Sequence, residues 1–125
     1  HVSYIGGVPY EEVRAHIAKS SVCVFPTFAE ALPVSWLEAM AMEKAIVASN
    51  IGWAPEVLSS GNEGFLVAPK SHEAYANAIL ELLENDILNT TFGQNAAHKV
   101  RQVFANALIA EQSLSFYQTL IDKKK

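Results

Sequence analysis

Two carboxylates with seven residues between them, Glu30 and Glu38, are the only charged side chains in the stretch from Pro26 to Met42. Glu30 ends a turn after the strand-like run Val22-Cys-Val-Phe-Pro26, and Glu38 sits inside an otherwise apolar, helix-like segment. An ionised carboxylate is costly to desolvate and rarely enters a core alone, so a polar group from the protein or from a ligand is expected beside it. Pro33 suits the first position of the helix, which leaves the N–H groups of Val34, Ser35 and Trp36 pointing out of its start. Such a terminus suits an anion, and phosphate above all. Glu38, roughly one turn further along, is a good acceptor for two neighbouring hydroxyls, as on a ribose. Glu30, on the loop before the helix, can accept from the hydroxyls of another sugar. The spacing suggests a glycosyl-nucleotide draped over one helix start.

The elements that must position these residues follow from the apolar pattern. Val2-Ser-Tyr-Ile5 reads as a short strand closed by Gly6-Gly7-Val8-Pro9. A helix opens near Pro9, with Tyr10, Val13 and Ile17 on one face. Val22 to Phe25 is the next strand, Pro33 to about Met42 the next helix, and Ala45 to Ala48 a further strand. Gly64 to Ala68 is the last strand, after irregular backbone marked by Gly52, Pro55, Gly61 and Asn62. From about Ser71 the pattern is purely helical: His72 to Glu84, about Leu88 to Phe104, and about Ala107 to Ile121. The apolar stripes of these helices, such as Ala76, Ile79, Leu80 and Leu83, are expected in the core.

Strands and helices in this alternation predict an α/β fold, a Rossmann-like parallel sheet with flanking helices, in one domain spanning residues 1–125. The strands are continuous apolar runs, as expected when both sheet faces are covered. In doubly wound sheets ligands bind beyond the carboxyl ends of the strands. The loops Gly6 to Pro9, Thr27 to Pro33 and Asn50 to Glu56 occupy such places.

Composition narrows the classes. Half of the 125 residues are apolar and 18% are charged, ordinary for a globular domain with a real core. A net charge of −4 argues against a nucleic-acid partner. The one cationic cluster, Lys123-Lys124-Lys125, reads as a solvated tail. Cys23 has no second cysteine to pair with, and no apolar run is long enough to cross a membrane, so a cytoplasmic setting is the default expectation. The chain opens directly on a strand-like segment without Met, as a fragment of something longer would. The four histidines are not at metal-ligand spacing, and Asp86 and Asp122 are isolated, so neither a metal-held diphosphate nor a cofactor is expected. Ser49 and Ser59-Ser60 lack a nucleophile-elbow context, and Gly6-Gly7 lacks the spacing of a dinucleotide fingerprint or a P-loop.

Glu30-Ala-Leu-Pro-Val-Ser-Trp-Leu-Glu38-Ala-Met-Ala resembles the E-x7-E motif of family 4 glycosyltransferases, retaining enzymes of the GT-B fold. Four further segments in order extend the similarity over essentially the whole chain. Val2 to Gly6 resembles the family's strand ending in Gly, and Val22 to Thr27 its strand ending in Pro-Ser. Ala45 to Ser49 with Gly52-Trp-Ala-Pro-Glu56 resembles the next strand and its Gly-Gly-x-x-Glu loop, and Gly61 to Pro69 the segment after it.

The resemblance implies the C-terminal, donor-binding half of a GT-B enzyme that uses a nucleotide-diphosphate sugar. Glu30 would contact hydroxyls of the transferred sugar and Glu38 the ribose. The amides of Ala31, Leu32, Pro33's followers Val34 and Ser35 would meet the diphosphate, with Thr27 and Glu56 at the rim. The Gly6, Gly7 and Val8 loop would border the base. Transfer would be a front-face displacement in which the leaving diphosphate helps to take the acceptor proton and Glu30 stabilises charge; attack by Glu30 as a nucleophile is the other reading. An acceptor-binding N-terminal domain, and the Arg and Lys that meet the diphosphate near the start of this domain, are implied parts absent from this sequence. Proximity to the inner face of a membrane, and dimerisation of the isolated fragment through an open sheet edge, are further expectations.

Three positions depart from the family pattern: Ala31 and Glu43 stand where glycine is frequent, and Trp53 replaces the second glycine of its loop. Ala31 is acceptable unless its turn needs a positive φ. Plainer readings stand beside the site assignment. Glu38 could be a core carboxylate satisfied by backbone or a lysine, Glu30 a turn residue, and Glu56 a helix cap. A non-catalytic Rossmann-like interaction module and a nucleotide-sugar epimerase of similar fold are the alternative functions.

Overall fold

Three of the apolar runs pair as parallel strands in the computed structural model, which describes residues 1–123. Strands β1 (Val22–Phe25), β2 (Ala45–Ser49) and β3 (Gly64–Val67) lie in the order β1-β2-β3, with Cys23 opposite Ile46 and Ala48 opposite Leu66. Helix α1 (Tyr10–Lys19) precedes β1, α2 (Val34–Ala41) joins β1 to β2, and the short α3 (Ala54–Val57) follows β2. Helices α4 (His72–Glu84), α5 (Asp86–Lys99) and α6 (Asn106–Asp122) complete the chain, with a π-helical turn at Val100–Phe104 between the last two.

Alternate strand residues face two separate cores, as the pleat requires. Ile46 and Ala48 meet Trp36, Ala39 and Met40 of α2, Leu58 after α3, and Ala96 of α5, with Cys23, Phe25 and Leu66 at the margin. Ala45, Val47 and Val67 meet Tyr75, Ala78 and Leu82 of α4 and Phe92 of α5. All five residues of β2 are therefore buried, and its run needs no polar alternation. The buried hydroxyl of Ser49 hydrogen-bonds Tyr75 Oη at 2.6 Å, which locks α4 to the sheet. Lys44 donates to the carbonyls of Ala18 and Ser20, closing the C-terminal end of α1 where carbonyls lack partners.

The structure corrects four expectations. Val2–Ile5 is not a strand; residues 1–9 carry no regular structure, and Val2, Tyr4 and Ile5 are exposed. An apolar run becomes a strand only beside a ladder partner, and among the described residues none lies next to it. In α4 the buried stripe is Tyr75, Ala78 and Leu82, while Ala76, Leu80 and Leu83 are exposed and Ile79 packs at the margin. The helix carries two adjacent apolar stripes, and the Tyr75–Ser49 bond selects the one that faces inward. Helix α6 buries no residue at all. Pro33 is the cap of α2 rather than its first residue. Of the terminal lysine run, Lys124 and Lys125 lie outside the described residues.

The turn from α2 into β2 holds the one non-glycine residue with positive φ among the described residues, Glu43 at 59°. Its carbonyl presses on Gly93 of α5, where a methyl group would overlap it. Ala31 needs no positive φ, which explains how it replaces glycine. Left-handed backbone costs a residue with a side chain roughly 1–2 kcal/mol, of which glycine's larger unfolded-state entropy takes back part. Glu43→Gly is therefore expected to raise stability by about 1 kcal/mol, since its exposed pair with Arg101 at 3.6 Å contributes little. Gly93→Ala is expected to cost about 1–3 kcal/mol by overpacking. Urea midpoints at constant slope measure both, and a neutral Gly93→Ala would show that α5 can retreat from the turn.

Candidate functional site

The carboxyl ends of β1 and β2 carry two of the three loops expected to bear the site, and the backbone brings them together. Gly52, at φ 42°, sits against the Glu30 carbonyl, about 4.0 Å from where its own Cβ would project. That left-handed conformation lets the loop after β2 turn tightly beside the loop after β1. Helix α2 starts between them. No side chain caps it, and Trp36 N donates to the Pro33 carbonyl at 3.0 Å. Of the three amides expected to be free, those of Val34 and Ser35 have no partner among the described residues, and both residues are exposed. Thr27, directly beyond β1, has a buried hydroxyl with no partner among the described residues.

Glu30 is half-buried on this loop and makes no hydrogen bond or ion pair to a described residue. Glu56 is not a cap. It lies exposed in the first turn of α3 and shares a groove of about 350 Å³ with Ala31, Leu32 and Trp53, whose floor is Val57 and whose far wall is the π-helical turn at Val103 and Phe104. Trp53 is 60% exposed, so its indole forms the mouth of this groove rather than core.

Glu38 faces the other way, into a groove of about 440 Å³ between α1 and α2. Tyr10, Val13 and Ile17 line one wall, Ala41 and Met42 the other, with Arg14 at the rim. Here the partner demanded by a half-buried carboxylate is found: Tyr10 Oη donates to Glu38 Oε1 at 2.9 Å. The carboxylate raises the Tyr10 phenol above its ordinary value of 10.0, first through the hydrogen bond and then through charge. Glu38 also borders a second cavity, with Ser35, beside the open edge of β1 at Val24.

Gly6 and Gly7 are exposed, with open space around them, and Val8 is half-buried. Among the described residues no hydrogen bond joins these three to Glu30 or Glu38; Tyr10 is what reaches the carboxylate from this end of the chain. Sequence reasoning placed Tyr10 on an apolar helix face with Val13 and Ile17, and its position at the first turn was the only sign that its hydroxyl could reach out. Lys44 is spent on α1, and Lys99 on the buried Glu63 at 3.5 Å, so neither points at α2. Among the described residues, no group of three His, Cys, Asp or Glu is placed to hold a metal ion, and no helix is long and apolar enough to cross a membrane.

The chain as a whole is similar to known proteins. The family model described as Glycosyl transferases group 1 matches residues 1–99. The capsular polysaccharide biosynthesis glycosyltransferase CapM of Staphylococcus aureus is 30% identical over 105 residues, covering 84% of this chain and 28% of that protein. Sucrose-phosphate synthase from Thermosynechococcus elongatus superposes with a TM-score of 0.88 at 28% identity, over 97% of this chain and 30% of that one. The C-terminal domain of the glycosyl transferase group 1 family protein LpcC from Francisella tularensis superposes at 0.75 and 26% identity, over 82% of this chain and 53% of that one. These neighbours are GT-B glycosyltransferases, and the three-stranded unit has their fold. The chain spans about a third or less of the curated relatives it matches. A family match over residues 1–99 places the chain in the glycosyl transferases group 1 family.

Proposed function

We propose that this chain is the donor-binding part of a retaining, family 4 glycosyltransferase. The complete protein would move a sugar from a nucleotide-diphosphate sugar to an acceptor in glycan or glycoconjugate biosynthesis, the setting named for CapM. The observation that carries this reading is α2: two unpaired amides at its start, Glu30 on the loop before it, and Glu38 on its second turn. Amides and helix dipole favour a diphosphate there. Glu38, held as an acceptor, takes the ribose hydroxyls, and Glu30 takes hydroxyls of the transferred sugar. Thr27 Oγ1, Ala31, Leu32 and Glu56 border the same ligand, and the Gly6, Gly7 and Val8 segment borders the base.

Transfer would proceed on the front face of the sugar. The bond from the anomeric carbon to the diphosphate breaks, an oxocarbenium-like state forms, and the leaving diphosphate accepts the proton of the acceptor hydroxyl as the new bond closes. Glu30 stabilises positive charge on the sugar without attacking it. No metal and no cofactor enters this scheme. The diphosphate is neutralised by an Arg and a Lys near the start of this same domain, upstream of the residues given, and the complete enzyme works in the cytoplasm at the inner face of a membrane. Alone, the chain would pair through the open edge of β1 and form dimers.

In the complete protein, Glu38→Gln is expected to weaken donor binding about tenfold without lowering the melting temperature, since a bond to a charged acceptor is worth about 1.5–3 kcal/mol. Glu30→Ala is expected to reduce kcat by about 10²–10³ while nucleotide affinity stays near wild type. Steady-state kinetics and titration calorimetry separate the two, and equal losses of nucleotide affinity from both substitutions would contradict the roles. The isolated chain is expected to show no glycosyl transfer. Turnover by it would overturn the division of labour, and failure of the complete protein to bind UDP, GDP or ADP would leave a non-catalytic module.

A further inference from the structure

Tyr10 is 78% exposed, yet its hydroxyl reaches across 28 positions of sequence to a half-buried carboxylate. An exposed hydrogen bond of this kind adds little to folding, so stability is a poor reason for it. Helix α1 buries no residue, and polar contacts fasten it at both ends: Lys44 at its last carbonyls and Tyr10 at its first turn. Between these two points lies the groove that ends at Glu38.

A glutamate on a helix surface samples several rotamers, and fixing one costs up to about 2 kcal/mol of side-chain entropy. A ligand that must order the carboxylate loses that amount from its affinity, whereas a group already held in place does not impose it. The bond to Tyr10 uses one lone pair of Oε1. Oε2 and the second lone pair of Oε1 remain, which is enough for a vicinal diol.

Resting on the donor reading above, we infer that Tyr10 is a positioning residue: its hydroxyl holds Glu38 in the orientation that accepts the ribose 2′- and 3′-hydroxyls. Its ring forms the outer wall of the groove in which the nucleoside lies. The residue thereby sets preference for ribonucleotides over nucleotides that lack the diol.

The test compares the complete protein with Tyr10→Phe, Glu38→Gln and the double variant. Each is titrated with whichever of UDP, GDP or ADP binds wild type, and with the 2′,3′-dideoxy form of that nucleotide. Tyr10→Phe is expected to weaken the ribonucleotide about three- to tenfold and to leave the dideoxy nucleotide unchanged, at an unaltered melting temperature. Adding Tyr10→Phe to Glu38→Gln is expected to cause no further loss, because the two act as one unit. Equal affinity of Tyr10→Phe and wild type for the ribonucleotide would overturn the inference while leaving the donor site standing, and so would equal losses for both ligands. Wild type binding none of the three nucleotides would overturn the donor reading itself.

Discussion

Burial of β2 on both faces is the constraint on which the remaining architecture depends. A strand with five buried residues cannot lie at an edge, so parallel neighbours must flank it and helices must cover each side. Parallel pairing requires that the chain return from the end of β1 to the start of β2, and α2 makes that return. Its start is then held at the carboxyl end of β1, where the loops after β1 and β2 converge. The free amides of Val34 and Ser35 are a consequence of topology before they are a feature of function. Trp36, Ala39 and Met40 anchor the inward stripe of α2. Ser35 and Glu38 fall outside it, at spacings that leave them facing the grooves.

Much of this was legible in the residues. Continuous apolar runs at Val22, Ala45 and Gly64 marked the strands because each packs against both cores or lies beside a strand that does. The lone charge of Glu38 in an apolar helix announced a polar partner, and the structure supplies Tyr10. What stayed hidden has physical causes. Periodicity cannot choose between two apolar stripes on one helix, so α4 needed the Tyr75–Ser49 bond to reveal which faces inward. The run Val2–Ile5 has strand composition but no ladder partner among the described residues. The left-handed turn at Glu43 carries no marker in its own residue type; the marker is Gly93, fifty residues away, whose missing side chain admits the Glu43 carbonyl.

Electrostatics divides the candidate site into what this chain can and cannot supply. A helix N-terminus offers about half an elementary charge, well short of what a diphosphate carries. The chain as a whole is negative at −4, and Glu30 and Glu38 are both acids of the proposed site. Lys44 and Lys99 are committed to the Ala18 and Ser20 carbonyls and to Glu63, away from α2. Arg14 at the rim of the Glu38 groove is the cation this chain brings to the site, so the geometry provides direction and hydroxyl recognition better than it provides charge.

That imbalance bears on what Glu30 and Glu38 do. Two acids beside an anion raise its cost unless each is turned toward a hydroxyl, which screens the repulsion by donating to it. Glu38 already shows this behaviour toward Tyr10, whose phenol donates to it and is raised above its ordinary value. Glu30 has no such protein partner among the described residues, which on the proposed reading leaves it for a sugar hydroxyl. The asymmetry between the two carboxylates, one oriented in advance and one left for the ligand to order, matches a division between anchoring the nucleotide and responding to the sugar that is transferred. A pair that discriminated only charge would need no such difference.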